Sequence, residues 1–551
     1  MRHDSLRIKI FFGIVLLAAS LIAWRLFIIS YVRHTFYRQT ALAQQENISN
    51  VMIRGNIFIQ DPKASGSETS QRFLTATNKK FPLVYVIPSL IPADSSLANK
   101  LGEILNLDPI PIRALLETKT QNTKILARKI SSEQVDAINQ LGLKGAGIRY
   151  ETDRFYPGGL LAANVIGFLG YGDTGRAGQY GIESYFEDEL SGRADGKTTP
   201  APANVVLTID RNIQAFVETK LQEVLEKWNA ESGSVIVQDP ATGKIISMAS
   251  APTFNPNNYG SSPTASYINQ NTQQIFEPGS SFKPITMAMG LDTGKVNPNT
   301  TFTDPGVIEI AGRTIHNFDN QAHGLVTMTK ILEKSLNTGA AYVQSLVGQE
   351  NFMNYAINFG FGQKTGISLP AEVSGDIANL YSGRQVNYVT ASFGQGIAVT
   401  PIQLINAYSA IANGGKLMKP YIVERIIHEN GEEDVTQPEV ASIPVTGKTS
   451  ERVRAMLVSV VDNGFDKARI KGYDIAGKTG TAQIADGKGG YQEGVFIHDF
   501  VGFAPASNPK FVILIKMNNP QGITFAADSL SPTFREITQY LLNYYNIPPT
   551  R

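Results

Sequence analysis

The order of hydrophobic and polar residues divides the chain into an apolar N-terminal run, an irregular middle region and a regular α/β region. Residues 10–32 form a nearly uninterrupted apolar run, roughly 34 Å long as a helix and therefore long enough to cross a bilayer. Residues 33–203 mix short apolar stretches with polar inserts; 82–92 is typical of a strand and 132–140 of a helix. Residues 192–203 are rich in Gly, Pro and small side chains, which indicates a linker or domain edge.

The region after residue 204 predicts one antiparallel sheet with helices packed against it, an α+β architecture. Two early strands are followed by a helical block, three late strands and a closing helix. The strands are predicted at 234–238, 244–248, 473–485, 495–504 and 511–517. The helices are predicted at 281–291, 327–345, 401–412, 450–462 and 533–545.

The apolar run at 10–32 is interpreted as an uncleaved membrane anchor. Arg2, Arg7 and Lys9 precede it and favour a cytoplasmic N-terminus, which places the rest of the chain outside the cytoplasm. The alternative is a cleaved signal peptide, but the small-residue sequence at 41–43 lies too far beyond the apolar run. Arg25 lies in the outer half of the run, where it can reach the headgroups or contact a partner's membrane helices.

Composition narrows the chemistry that this chain can perform. The 49 Lys and Arg residues nearly cancel 48 Asp and Glu residues, a balance that argues against binding to nucleic acid. A hydrophobic fraction of 42% argues against disorder. The absence of cysteine excludes disulfides, thiol nucleophiles and Cys-ligated metals, and six scattered histidines argue against a metal site. We therefore expect no metal and no cofactor, and chemistry from Ser, Thr, Lys, Asp, Glu, Asn or Tyr.

A candidate nucleophile lies in the segment FEPGSSFKP at 276–284. The Pro-Gly pair before an apolar-periodic run predicts that Ser280 sits at a helix N-terminus, with Lys283 about 5–6 Å away on the same face. A serine hydroxyl needs a base, and a lysine can serve if burial or a neighbouring cation lowers its pKa. By itself this pattern also fits an ordinary helix cap, and the second Ser-x-x-Lys, at 507–510, falls in a loop.

Two further motifs follow Ser280 in the chain. Ser335-Leu336-Asn337 lies within the predicted helix 327–345. The break signal at 337–339 predicts that this triplet forms the tip of a loop between two helices. The segment KTGTA at 478–482 lies in a strand-like run, where the glycine allows a ligand to approach the backbone.

Two other segments compete with these motifs. The tripeptide KTG at 364–366 lacks a strand flank and is interpreted as a surface turn. Residues 472–479 match the phosphate-binding pattern G-x-x-x-x-G-K-[ST], which requires a preceding strand and a following helix. A strand is predicted after Thr479, so we set the nucleotide-binding alternative aside.

Together the motifs SSFK, SLN and KTGTA, in this order, resemble those of the class B penicillin-binding proteins, serine D,D-transpeptidases of bacterial peptidoglycan. Further segments that resemble the family are 154–170, 178–192, 205–214, 239–257 and 392–404. The sequence RGNI at 54–57 resembles the start of the family's motif after the anchor. It continues as FIQDPKASGSETS instead of the family's acidic, Asn-Gly-containing sequence, so 55–80 carries no fold prediction.

The resemblance implies a role for each of five catalytic residues. Ser280 attacks the D-Ala-D-Ala carbonyl of a stem peptide, and Lys283 is the expected base, although the base is disputed in this superfamily. Ser335 and Lys478 help relay the proton to the leaving group. Asn337 holds the substrate's amide and orients Lys283. An amine of a neighbouring strand then replaces water as acceptor, which gives the cross-link.

The resemblance also implies how the substrate is bound. Thr479, Gly480 and Thr481 form the substrate-binding strand, and the two threonines bind the terminal carboxylate beside the charge of Lys478. The backbone N–H groups of Ser280 and Thr481 form the oxyanion hole. β-Lactam antibiotics are expected to form stable acyl-enzymes at Ser280.

The fold that the resemblance implies is a five-stranded antiparallel sheet flanked by helices, on an elongated pedestal domain of the dimerisation type. The predicted divisions are a cytoplasmic tail (1–9), a transmembrane anchor (10–32), the pedestal (33–203) and the transpeptidase domain (204–551). The implied location is the bacterial inner membrane, single-pass, with the catalytic domain outside the cytoplasm. The implied partners are the membrane and a polytopic glycosyltransferase of the cell-wall machinery.

Several alternatives remain open from sequence alone. The segments IAGKTGTAQIA and FGFGQKTGISLPAEVSG favour a septal, division-type member over an elongation-type one. A serine β-lactamase or D,D-carboxypeptidase uses the same motifs but normally lacks the anchor and pedestal. A β-lactam-sensing receptor needs more membrane helices, and a non-catalytic division scaffold does not need the intact motifs.

Overall fold

The computed structural model describes most of the chain from residue 53 onward and a few residues before it. The described residues are 12, 16–17, 19–25, 53–64, 71–92, 94–172, 175–192, 201–464, 466–485 and 490–551. The predicted cytoplasmic tail, most of the predicted anchor and residues 193–200 of the predicted linker lie outside them. Among the helices described, none combines the length and the apolar character needed to span a bilayer.

The chain forms two compact units, and the smaller one comprises residues 1–53, 79–153 and 171–176. Its strand Lys124–Arg128 pairs antiparallel with the second half of strand Arg72–Val86. Each of its helices starts at a capping side chain: Asp94 before Ser95–Leu105, Asp108 before Pro109–Glu117 and Ser131 before Ser132–Gln140. Their apolar faces meet in a core that contains Leu101, Leu116 and Ile138. The helix predicted at 132–140 is therefore confirmed.

The strand predicted at 82–92 is wrong in its second half. The extended backbone ends at Val86, and Pro88–Leu90 forms a 3₁₀ helix instead. Proline has no N–H group to donate to a sheet, and its fixed φ suits the first turn of a helix.

The larger unit comprises residues 54–78, 154–170 and 177–551 and is built around a five-stranded antiparallel sheet. Its strands are β1 (Ser232–Gln238), β2 (Ile245–Ala251), β3 (Ala476–Ala485), β4 (Tyr491–Ala504) and β5 (Phe511–Asn518). They are arranged in the order β3-β4-β5-β1-β2, so that β3 forms one edge of the sheet and β2 the other. The predicted sheet is thus confirmed.

Helices cover both faces of this sheet. The helices that matter below are α1 (Arg211–Lys227), α2 (Lys283–Asp292), α3 (Met328–Glu333), α4 (Asn337–Val347), α5 (Pro401–Ala412), α6 (Gly447–Asn463) and α7 (Ser531–Tyr544). Alternate residues of β5 point to opposite faces, so Ile513 packs in a core with α1 and α7, whereas Leu514 packs in a core with α2 and α5. Because both faces are covered, β5 is apolar except at Lys516 and Asn518.

Shorter elements complete the description. Further strands are Ile57–Gln60, Ala146–Phe155, Phe168–Gly172, Gly175–Gln179, Asn204–Asp210, Thr301–Asp304, Val307–Ile310, Arg313–His316, Gly324–Thr327, Leu417–Met418, Val423–Ile427, Glu433–Val435 and Val440–Ser442. Further α-helices are Ala163–Ile166, Gly181–Tyr185, Glu187–Ser191, Gln270–Gln273, Gln349–Asn358, Gln385–Ala391 and Ala526–Ser529.

A buried cluster of charges joins distant parts of the chain within the larger unit. The Glu183 carboxylate accepts from Nε of Arg54 and from Nε of Arg154, each at 2.7 Å, and all three side chains are at most 1% exposed. Arg54 also pairs with Glu187 at 2.7 Å. Burial alone raises the pKa of Glu183, but the charges and hydrogen bonds of the two arginines outweigh it and hold the pKa below its usual value.

Removing the Glu183 charge tests the importance of this cluster for stability. We expect Glu183→Gln to lower the free energy of unfolding by about 3–5 kcal/mol, because two buried guanidinium groups lose their shared carboxylate. Urea unfolding followed by circular dichroism measures the change. The matched control is Glu117→Gln, which breaks an exposed pair with Arg113 and should cost no more than about 0.5 kcal/mol. Equal losses in the two variants would contradict the expectation.

Candidate active site

Ser280 lies in a 3₁₀ turn, Gly279–Phe282, that leads directly into α2. Gly279 adopts a φ of 56° and its N–H donates to the carbonyl of Gly394 at 3.1 Å, which fixes the turn. A Cβ atom added to Gly394 would lie 2.2 Å from the carbonyl oxygen of Gly279, so this approach requires glycine. Ser280 is half-buried at the start of the helix, where the Pro-Gly signal predicted it.

Lys283, one turn after Ser280, is fully buried and points to Ser335. Its Nζ donates to the carbonyl oxygen of Ser335 at 2.5 Å and to Oγ of the same residue at 3.2 Å. Burial lowers the pKa of Lys283 well below its usual value, and the neighbouring charge of Lys478 lowers it further. A lowered pKa favours the neutral amine, which is the form that can accept a proton.

The turn that carries Ser335 lies between two helices, as the break signal in the sequence indicated. Ser335 has a left-handed φ of 55°, with its N–H donating to Leu332 O at 3.2 Å, and the next N–H, of Leu336, donates to Ile331 O at 2.9 Å. These two bonds form a Schellman-type end to α3, and α4 begins directly afterwards at Asn337. The loop predicted at the 335–337 triplet between two helices is therefore confirmed at 334–336, with Asn337 already the first residue of α4. Ser335 occupies the left-handed position usually given to glycine.

Asn337 lies at the first residue of α4, next to this turn. Its Nδ2 donates to the carbonyl of His316 at 2.8 Å. Within the described part of the chain, Asn337 makes no hydrogen bond to Lys283, whose Nζ is held by Ser335 instead. The implied roles of Asn337 in binding the substrate's amide and orienting Lys283 remain predictions.

The edge strand β3 supplies the third motif. Lys478 is completely buried and its Nζ donates to the carbonyl of Thr479 at 3.1 Å. The hydroxyl of Thr481, which is half-buried, accepts from the backbone N–H of Ala526 at 3.1 Å. A Cβ atom added to Gly279 would touch the carbonyl of Thr481 at 3.0 Å, which shows how closely the Ser280 turn packs against β3.

Gly480 explains why the strand can lie so close to that turn. A Cβ atom at this position would lie 2.4 Å from the carbonyl oxygen of Pro278 and 2.1 Å from Oδ2 of Asp499. Both distances are far shorter than contacts between real atoms. Glycine is therefore required here for packing, in addition to the predicted approach of a substrate.

The environment of Lys478 contains two charged residues that our sequence analysis missed. Asp499 on β4 and Lys516 on β5 are directly opposite each other in the sheet and both are buried. Burial lowers the pKa of Lys478 to about 7, against the opposing influence of Asp499. The available signal was a charged residue within each of the apolar runs FIHDFVGFA and FVILIKM.

The structure thus brings Ser280, Lys283, Ser335 and the 478–481 segment together at the junction of β3 and the helical block. The arrangement offers a hydroxyl nucleophile, a buried amine with a lowered pKa and a second lysine of different charge environment. The competing tripeptide at 364–366 lies in a turn elsewhere, where Thr365 and Gly366 donate to the carboxylate of Glu372. The competing segment 472–479 overlaps the site but continues as β3, whereas a phosphate-binding loop leads into a helix.

Comparison with known proteins identifies both parts of the chain. The family model described as penicillin binding protein transpeptidase domain matches residues 233–539. The model of the penicillin-binding protein dimerisation domain matches residues 67–208.

Individual relatives align over most of their length. Stage V sporulation protein D of Bacillus subtilis is 34% identical over 504 residues, which cover 86% of this chain and 77% of the relative. The peptidoglycan D,D-transpeptidase FtsI of Escherichia coli is 30% identical over 477 residues, covering 82% and 78%. The crystal structure of penicillin binding protein 3 from Mycobacterium tuberculosis, complexed with aztreonam, superposes with a TM-score of 0.66 and 31% identity over 73% of this chain and 92% of that one.

The packing of Gly480 makes a testable prediction. Gly480→Ala should slow acylation by a fluorescent penicillin by about tenfold or more, because the added methyl group separates β3 from the Ser280 turn and misplaces the reacting groups. The control is Gly260→Ala, since nothing lies within 4 Å of a Cβ atom at that position. Rates for Gly480→Ala equal to those of the control would show that the approach of the two segments is not required.

Proposed function

The chain belongs to the class B penicillin-binding proteins, and from this premise we propose that it is a serine D,D-transpeptidase that cross-links peptidoglycan through an acyl-enzyme on Ser280. The observation that carries the mechanism is the buried amine of Lys283, held by Ser335 one helical turn after Ser280. An exposed lysine is protonated at neutral pH and is no base. Burial lowers the pKa of Lys283 and so favours the unprotonated amine, which can act as a base.

The acylation step follows from these positions. The neutral amine of Lys283 takes the proton of Ser280 as Oγ forms a bond to the carbonyl carbon of the penultimate D-Ala. The oxyanion is stabilised by the backbone N–H groups of Ser280 and Thr481, a type of contact that contributes about 2.7–4 kcal/mol per donor. The C–N bond to the terminal D-Ala then breaks, and the leaving nitrogen receives its proton through Ser335.

Lys478 and the neighbouring threonines serve recognition of the substrate. The charge of Lys478, with the hydroxyls of Thr479 and Thr481, binds the terminal carboxylate of the stem peptide. An amine of a second stem peptide attacks the acyl-enzyme and forms the cross-link. A β-lactam follows the first half of this path, since its ring nitrogen is the leaving group, and it remains attached because the nitrogen stays tethered to the acyl group.

The cellular setting is a further part of the proposal. Residues 10–32 anchor the chain in the inner membrane with residues 1–9 in the cytoplasm and the catalytic domain outside it; the apolar run and the preceding Arg2, Arg7 and Lys9 support this orientation. A polytopic glycosyltransferase that polymerises glycan is the proposed membrane partner. Similarity to FtsI and to a sporulation protein supports a role in septal synthesis over one in elongation.

Intact-protein mass spectrometry tests the nucleophile. After incubation with a β-lactam, the 551-residue chain should gain one drug mass, and Ser280→Ala should gain none, because Ser280 Oγ is the atom proposed to form the ester. Ser281→Ala is the matched control and should still be acylated, since the hydroxyl of Ser281 donates to Pro278 O at 2.7 Å and points away from the substrate side.

Loss of the adduct with time separates the related activities. Slow release of the adduct supports a transpeptidase, whereas rapid turnover of the drug would indicate a β-lactamase. Correctly folded wild-type protein without any adduct would overturn the enzymatic proposal in favour of a non-catalytic scaffold.

Membrane attachment makes a separate prediction. The full chain should sediment with bacterial membranes, resist extraction by high salt and dissolve in detergent, since its attachment depends on apolar contact with lipid. A chain that begins at residue 33 should remain in the soluble fraction and still be acylated. Salt extraction of the full chain would contradict the proposed anchor.

A further inference from the structure

Three charged side chains lie side by side on the face of the central sheet that packs against α2 and α5. In register, Gly480 of β3 is opposite Asp499 of β4, and Asp499 is opposite Lys516 of β5. Residues opposite each other on antiparallel strands point to the same face, and Lys478, two residues before Gly480, points there too. Lys478, Asp499 and Lys516 are each at most 2% exposed.

The Asp499 carboxylate occupies the space over Gly480, next to Lys478. A Cβ atom at Gly480 would be 2.1 Å from Oδ2 of Asp499, so no side chain separates the carboxylate from β3. Neither carboxylate oxygen accepts a hydrogen bond from a described residue, and the hydroxyl of the adjacent Ser281 donates to Pro278 O instead. Burial raises the pKa of Asp499 to about 7, and the adjacent Ser281 hydroxyl and the charges of Lys478 and Lys516 act against that rise. The negative charge of this buried carboxylate therefore depends on its neighbours.

The two active-site lysines therefore experience opposite electrostatic environments. Both amines are buried, and a proton on one of them disfavours a proton on the other. Asp499 raises the pKa of Lys478 against the effect of burial, whereas Lys283 has no such counterpart and is lowered further by Lys478. Of the two amines, Lys478 is thus the one that retains its proton.

We propose that Asp499 is a positioning residue of the transpeptidase, whose carboxylate keeps Lys478 protonated and thereby leaves Lys283 as the neutral base. The charge of Lys516 balances the carboxylate. This inference rests on the proposed function and deepens it. Asp499 forms no covalent bond and takes no proton from the substrate: the Ser280 proton passes to Lys283, and the Lys478 charge remains available for the substrate carboxylate.

Other titratable groups near Asp499 do not supply the negative charge that acts on Lys478. Tyr408 of α5 is buried, and its hydroxyl donates to Ser281 O at 2.6 Å with a pKa raised well above the usual value by burial, so it stays neutral. His498 points to the opposite face of the sheet, where burial lowers its pKa to about 4. Glu277, before the Ser280 turn, accepts from Gly396 N and Tyr491.

The remaining neighbouring elements add no buried charge. The charged residues of α6, which packs against β3, are exposed or half-exposed, and Asp528 of the helix Ala526–Ser529 is exposed. Lys283 of α2 and Lys516 of β5 are the buried cations already named.

The test compares the pH dependence of acylation in the full chain and its variants. The second-order rate with a fluorescent penicillin is measured from about pH 5 to about pH 10, where a bell-shaped profile reports the groups that must be deprotonated and protonated. In Asp499→Asn we expect the alkaline limb to move down by about one pH unit, which is an approximately tenfold loss of rate on that limb. The acidic limb should move less.

A double variant separates this role from a structural one. Asp499→Asn alone leaves Lys516 buried without a counter-ion and is expected to unfold at lower urea concentration. Asp499→Asn with Lys516→Met removes both charges and should regain stability while keeping the shifted alkaline limb. If Asp499 merely neutralises Lys516, the double variant will instead regain the wild-type profile, and that result overturns the proposal.

One control variant completes the experiment. Asp434→Asn removes an exposed carboxylate bonded to His428 and should leave the pH profile unchanged. An Asp499→Asn profile that coincides with that of the wild type also overturns the proposal. Failure of the wild type to be acylated at any pH would instead refute the proposed function itself, so the two failures are distinguishable.

Discussion

The chemistry of this molecule depends on keeping one lysine amine away from water. Lys283 is buried where the first turn of α2, the turn after α3 and the edge strand β3 meet. An ammonium ion in such a place is costly, so burial lowers the pKa of Lys283, whose Nζ donates to Ser335. The close contacts at Gly279 and Gly480 bring the turn and the strand together beside it. In the mechanism proposed above, the fold therefore prepares the base before any substrate arrives.

The sheet and the helices of the larger unit could be predicted from the sequence because the patterns that indicate them are local. Alternation in the apolar strands, the Pro-Gly pair before Ser280 and the spacing of the helices required no knowledge of distant contacts. The left-handed conformation of Ser335 could not be predicted, because a serine in that region carries no local signal. Strand Ile57–Gln60 could not be predicted either, since it pairs in parallel with Asn204–Asp210, which lies far along the chain.

Asp499 and Lys516 were missed for a different physical reason. In the sequence each is a single charge within an apolar run, and neither has a partner at helical or strand spacing. Their relation appears only when the register of β4 and β5 places them opposite each other. Charges that interrupt apolar strands are therefore worth examining in pairs once a sheet order is known. The same holds for the buried cluster around Glu183, whose arginines come from residues 54 and 154.

The edge position of β3 has a consequence for what the molecule recognises. A strand paired on one side only leaves backbone N–H and C=O groups for an incoming extended peptide. A peptide bound in this way becomes a temporary sixth strand, and main-chain groups common to every peptide provide much of its binding. Side chains of the incoming peptide then contribute little to discrimination, so selectivity is concentrated at the terminal carboxylate and the two residues nearest to it. The free edge of β3 therefore favours recognition of the ends of peptide chains.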